Sequence, residues 1–165
     1  MVSQAVYSDI WDGLLDVARI IRYFSLREKQ FQRLSWGVRA VLALTGVGAA
    51  VTIFGFFPNE LVSIVGCVIV AVVVFDLLID PSKTVTQLKI VNMQLLKLEE
   101  QYRSLWEKAK ADLITDAEAV NEKQRILLEM KEISSLVDIG IDEKINQIAQ
   151  EEAFRTEENR YAQQT

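Results

Sequence analysis

Two long apolar runs, three residues apart, constrain this chain more than any other feature. Residues 40 to 57, AVLALTGVGAAVTIFGFF, are eighteen positions without a charge, and residues 61 to 79, LVSIVGCVIVAVVVFDLLI, are nineteen with Asp76 alone charged. At the rise of an α-helix each run is about 27–29 Å long, close to the ~30 Å of a bilayer's hydrocarbon layer. The second run is rich in valine, yet nineteen residues far exceed an ordinary strand. A chain of 165 residues has little left with which to wrap two such helices in a core. The runs therefore predict two transmembrane helices.

Their link, Pro58-Asn59-Glu60, has turn chemistry and predicts a tight helical hairpin. Arg27, Lys29, Arg33 and Arg39 precede or enter the first run, Lys83 and Lys89 follow the second, and the link has no basic residue. The positive-inside rule then puts both termini in the cytoplasm, with the hairpin in the inner (plasma) membrane. The charged first 35 residues lack the pattern of a secretory signal. Trp36 falls where an interfacial anchor belongs.

Outside the runs the sequence reads as helix. Ile10, Leu14, Val17, Ile21 and Phe24 form a stripe, with Ser8 or Asp9 as its cap. The acidic start of this helix favours packing on the rest of the cytoplasmic part over lying on lipid. Beyond Asp80-Pro81-Ser82, apolar residues recur at Leu88, Val91, Leu95, Leu98, Tyr102, Leu105 and Ala109, in alternating steps of three and four. That is a heptad seam and a predicted site of oligomerisation. Thr115 and Glu118 match a capping box for a helix ending near Leu136. Gly140 interrupts, and Asp142 caps a last helix bearing Ile145, Ile148, Ala149 and Phe154. The predicted fold is all-α and oligomeric: a cytoplasmic helix over 1–35, a two-span hairpin over 36–80, and a cytoplasmic helical domain over 81–165.

The chemistry is sparse. The chain has no histidine, one cysteine and a net charge of −5, which disfavours a nucleic-acid surface, a disulfide framework and a His/Cys zinc site. No phosphate loop, nucleophile–base set or metal-ligand cluster is visible, so the reading is non-enzymatic, with no cofactor and no metal. Cys67 is expected to be a small, buried, unreactive side chain within the second run. Asp76 and Arg39 fall at a similar depth and predict either a salt bridge between the runs or a charged inner pore mouth, with Asp80 just outside it. Thr45, Thr52 and Ser63 supply the hydroxyls of such a pore. A companion set of small residues, among them Gly46 and Gly66, would let the helices approach closely.

FQRLSWGVRAV at the start of the first run, FDLLIDPSK at the end of the second, EEQYRSLWEKA at 99 to 109 and EEAF at 151 to 154 carry a resemblance. The chain resembles the SLATT family, the SMODS and SLOG-associating two-transmembrane effectors of bacteria. The resemblance implies an oligomeric pore-forming or membrane-disrupting effector in anti-phage conflict, gated through its cytoplasmic helices. It also implies a separately encoded nucleotide-second-messenger synthase or sensor as partner. The alternative from a different class is a non-conducting membrane anchor and adaptor presenting its helical tail to a cytoplasmic partner.

Overall fold

The computed structural model describes the backbone of residues 2–53, 59–137 and 139–162, and the side-chain surroundings of these apart from residues 45–53, 59–63, 65, 76–79 and 160–162. Among the described residues there are five α-helices and no strand: α1 (Gln4–Ile53), α2 (Asn59–Ile79), α3 (Pro81–Lys110), α4 (Asp116–Ser135) and α5 (Glu143–Ala162). The all-α expectation holds. The membrane expectation does not. Among the described residues no helix is long and apolar enough to cross a membrane. The first apolar run is no separate element; it belongs to the end of a 50-residue helix that begins at Gln4 and carries charges as far as Arg39. Residues 54–57 of that run, and Pro58 of the link, lie outside the described residues. The hairpin, the inner-membrane location and the channel and pore it was to build are withdrawn with it.

The helix ends follow local chemistry. Ser3, ahead of α1, accepts from the Val6 amide through its hydroxyl (3.4 Å), so the cap stands before Ser8 and Asp9, which lie inside the helix. Asp80 closes the gap between α2 and α3. Its φ of 39° is left-handed, where asparagine and aspartate are tolerated, and its Oδ1 accepts the Lys83 amide at 3.1 Å. Pro81 follows as the first helical residue of α3, where a missing N–H costs nothing. At the other end of α3, the Leu113 amide reaches the Lys108 carbonyl (3.0 Å) and the Asp112 amide reaches the Ala109 carbonyl (3.2 Å). This is a Schellman ending with Asp112, φ 54°, in the position glycine usually holds. Aspartate serves there because its carboxylate accepts the Val2 amide at 3.0 Å. The Thr115–Glu118 capping box of α4 is present in both directions, and Asp142 caps α5 by accepting the Ile145 amide at 3.2 Å.

The chain divides into two compact units, Met1–Arg27 with Gln87–Thr165, and Glu28–Thr86. In the first, the early part of α1 packs with α3, α4 and α5. Ser3, just ahead of α1, meets Asp116 of α4 and Asp9 of α1 meets Lys123, so these two helices run alongside in the same direction. Tyr7 meets Trp106 of α3, and Arg22 pairs with Glu152 of α5 (2.8 Å), so α3 and α5 run the other way. The core is made by Ile10, Leu14 and Val17 of α1, the whole seam of α3, Ala119 and Ile126 of α4, and Ala149 and Ala153 of α5. Leu88, Val91, Leu95, Leu98, Tyr102 and Leu105 are each at most 4 % exposed. The chain's own helices cover the seam, so its periodicity marks an internal face. Alanines on α5 admit the larger side chains of the seam, and Gly13 admits the Tyr102 ring against the α1 backbone.

In the unit Glu28–Thr86, Ser35 and Ser82 share a hydrogen bond at 3.1 Å, and Ser35, Val38 and Pro81 are buried. Much of the remainder is apolar and uncovered: Leu44 is 73 % exposed, Ile64 60 % and Val70 63 %. Cys67 is exposed too, against the expectation of a buried thiol.

Candidate functional site

Of the residues singled out for a pore, only Arg39 and Asp80 have described side-chain surroundings. The Arg39 guanidinium donates to the Ser82 hydroxyl at 3.2 Å. The side chains of Asp76, Thr45, Thr52 and Ser63 lie outside the described surroundings. Asp80 caps α3 by accepting the Lys83 amide at 3.1 Å.

A different site stands at one end of the four-helix unit. Its sequence basis is one turn of α1: Tyr7 and Trp11 are four residues apart, hence on one face, and that face flanks the buried Ile10–Leu14 stripe. Trp106 of α3 comes next to the seam residue Leu105 and is itself only 5 % exposed. Its ring lies 3.9 Å from that of Tyr7 and 5.2 Å from that of Trp11, tilted by 31° and 44°. On α5, Ala149, Ala153 and Glu157 face inward, which turns Phe154 and Glu158, four residues apart, to the rim. The four aromatic residues, with Gln4, Ser8 and Glu158, line an open cleft of about 460 Å³. Phe154 is 55 % exposed although its ring borders this cleft. Burial pushes the Tyr7 phenol above its ordinary pKa, as expected of a ring inserted among other rings.

The charges around the cleft are unequal. The two backbone amides just ahead of α1 are engaged by carboxylates: Val2 donates to Asp112 and Ser3 to Asp116 (2.8 Å). Among the described residues no basic side chain lines the cleft. Glu158 lines it, and no ion pair among the described residues engages its carboxylate. Its neighbour Glu157 differs. It is buried and pairs with Arg103 at 3.4 Å, which in turn holds Glu99 at 2.7 Å.

Two other depressions are less suited to recognition. A wider groove between α3 and α4 contains Lys97, Gln101, Lys108, Glu122 and Arg125. Its guanidinium is committed, since Arg125 donates to Glu122 at 2.7 Å and to Gln101 at 3.0 Å. Within Glu28–Thr86, Leu34, Val38, Val41, Val72 and Phe75 bound an apolar depression of about 480 Å³ with one charged residue, Arg33. Among the described residues, no three acidic, histidine or cysteine side chains stand together as a metal group would require.

The cleft was not visible in the sequence. Trp106 and Phe154 are nearly a hundred residues or more from Tyr7 and Trp11, and each reads alone as the flank of an amphipathic stripe. The one available signal was the Tyr7–Trp11 spacing, which doubles the apolar width of the α1 face.

No family matches the chain, and no curated protein or solved structure matches it either. The likeness to SLATT effectors accordingly has no support from relatives.

Proposed function

We propose that the chain is a non-enzymatic adaptor, whose four-helix unit docks a segment of a partner protein in the aromatic cleft. This is the adaptor alternative of the sequence, without the membrane anchor. The observation that carries it is the convergence of Tyr7, Trp11, Trp106 and Phe154 on an open cavity at the surface of an otherwise closed core. Aromatic side chains in a concave, partly desolvated site are the usual anchors of protein recognition. A core helix has no need of a phenylalanine turned to its rim.

Panning a random-peptide display library against the protein tests this. Peptides enriched on the wild type and lost on a Phe154→Asp variant support docking in the cleft. No enrichment, or enrichment indifferent to Phe154→Asp, refutes it.

The uncovered apolar residues of Glu28–Thr86 support a second role, self-association. The expected homo-oligomer is carried forward on this surface and not on the seam of α3. Light scattering after size exclusion tests it. A Leu44→Asp/Val70→Asp double variant that keeps the wild-type mass refutes it, as does a monomeric wild type recovered only with lipid or detergent.

A further inference from the structure

Resting on the docking reading, we infer that the aromatic cleft recognises an arginine side chain of the partner. Three features of the cleft select this chemistry. The first is the sign of the charge. Glu158 supplies a carboxylate at the rim that is in no ion pair among the described residues, and none of the described lining residues is basic. The acids near the start of α1, Asp112 and Asp116, already hold backbone amides, so Glu158 is the carboxylate left to meet a ligand.

The second feature is the wall. Tyr7, Trp11 and Phe154, backed by the buried Trp106, present π faces and edges, which attract a cation provided that it sheds its water cheaply. A guanidinium is more weakly hydrated than an ammonium and stacks flat on aromatic faces. A lysine ammonium would lose three strong hydrogen bonds to water on entering. The cleft replaces few of them.

The third feature is the placement of acceptors. Apart from Glu158, the polar residues of the lining are Gln4 and Ser8, both on the first turns of α1. A carboxylate on one wall, with an amide and a hydroxyl on another, suits a planar fork of five N–H donors better than a point charge. The volume, about 460 Å³, accommodates the side chain and its aliphatic stem with part of the adjoining peptide.

The test uses the full chain in a Trp36→Phe background, which leaves Trp11 and Trp106 as reporters. Three acetylated, amidated pentapeptides are titrated, identical but for a central arginine, lysine or citrulline. Citrulline keeps the shape of arginine and removes its charge. The expected result is saturable quenching by the arginine peptide, with the citrulline peptide about tenfold weaker and lysine between them. Glu158→Gln, a surface change that leaves the core untouched, should weaken the arginine peptide about tenfold and leave the citrulline peptide unaltered. Equal affinity for arginine and citrulline, a preference for lysine, indifference to Glu158→Gln, or no saturable binding overturns the inference. Peptides enriched in a Phe154-dependent manner but without arginine would leave docking standing and remove arginine alone. Loss of Phe154-dependent enrichment would remove docking itself.

Discussion

Gly13 and Tyr102 form the tightest test of how the four-helix unit is packed. A Cβ added at Gly13 would fall inside contact distance of the Tyr102 hydroxyl and 2.6 Å from its Cζ. The ring cannot swing away, because Tyr102 is 0 % exposed. Alanine in a helix is favoured over glycine by about 1 kcal/mol, whereas overpacking a closed core costs about 1–3 kcal/mol. Gly13→Ala should therefore destabilise the protein by up to about 2 kcal/mol, although the same change stabilises most exposed helices. In a Tyr102→Leu background the Cζ and hydroxyl are gone, and Gly13→Ala should become stabilising by about 0.5–1 kcal/mol. Urea unfolding of the four proteins, followed by far-ultraviolet circular dichroism, gives the coupling energy as a double-mutant cycle. A Gly13→Ala effect of the same sign and size in both backgrounds would refute this packing of α1 on α3.

The Tyr102 phenol is pushed well above the ordinary tyrosine pKa of 10.0, first by burial and then by the carboxylates of Asp9 and Asp16. The folded state then holds its proton where the unfolded state releases it, so stability should fall as pH rises past 10.0, by up to about 1.4 kcal/mol per unit. Tyr102→Phe should flatten that fall, leaving the smaller contribution of Tyr7, and an unchanged alkaline profile would contradict it. Thr115→Ala removes the capping box of α4 and should cost about 1 kcal/mol by thermal or urea unfolding; a loss under a few tenths would mean that the cap frays in solution. Cys67, on α2 midway between Ile64 and Val70, should react faster with a maleimide in the Leu44→Asp/Val70→Asp variant than in the self-associated wild type, and equal rates would show that association leaves this face open.

Much of the four-helix unit was legible because local chemistry and global packing agree there. The steps of three and four from Leu88 to Ala109 identify one buried face of α3. Thr115, Gly140 and Asp142 mark where the chain stops and restarts. What the seam could not show is which chain covers it, since a heptad face serves a bundle and a coiled coil equally. The apolar runs misled for a related reason. Hydropathy counts composition in a window and is blind to the helix that contains it. It placed a boundary near Trp36, where α1 continues unbroken from Gln4 to Ile53. Asp80 has a local role that the sequence did not show: its left-handed φ and its bond to the Lys83 amide make it the cap of α3. The cleft depended on bringing four distant aromatic residues together, which no local pattern encodes.

The central claim is that a partner docks at the aromatic end of the four-helix unit. A library-selected peptide carrying a nitroxide label, bound to isotopically labelled protein, reports its position by the resonances it broadens. The account predicts broadening of Tyr7, Trp11, Trp106 and Phe154. Broadening confined to Leu44, Ile64 and Val70, or to Gln101 and Asn121 in the groove between α3 and α4, would contradict it.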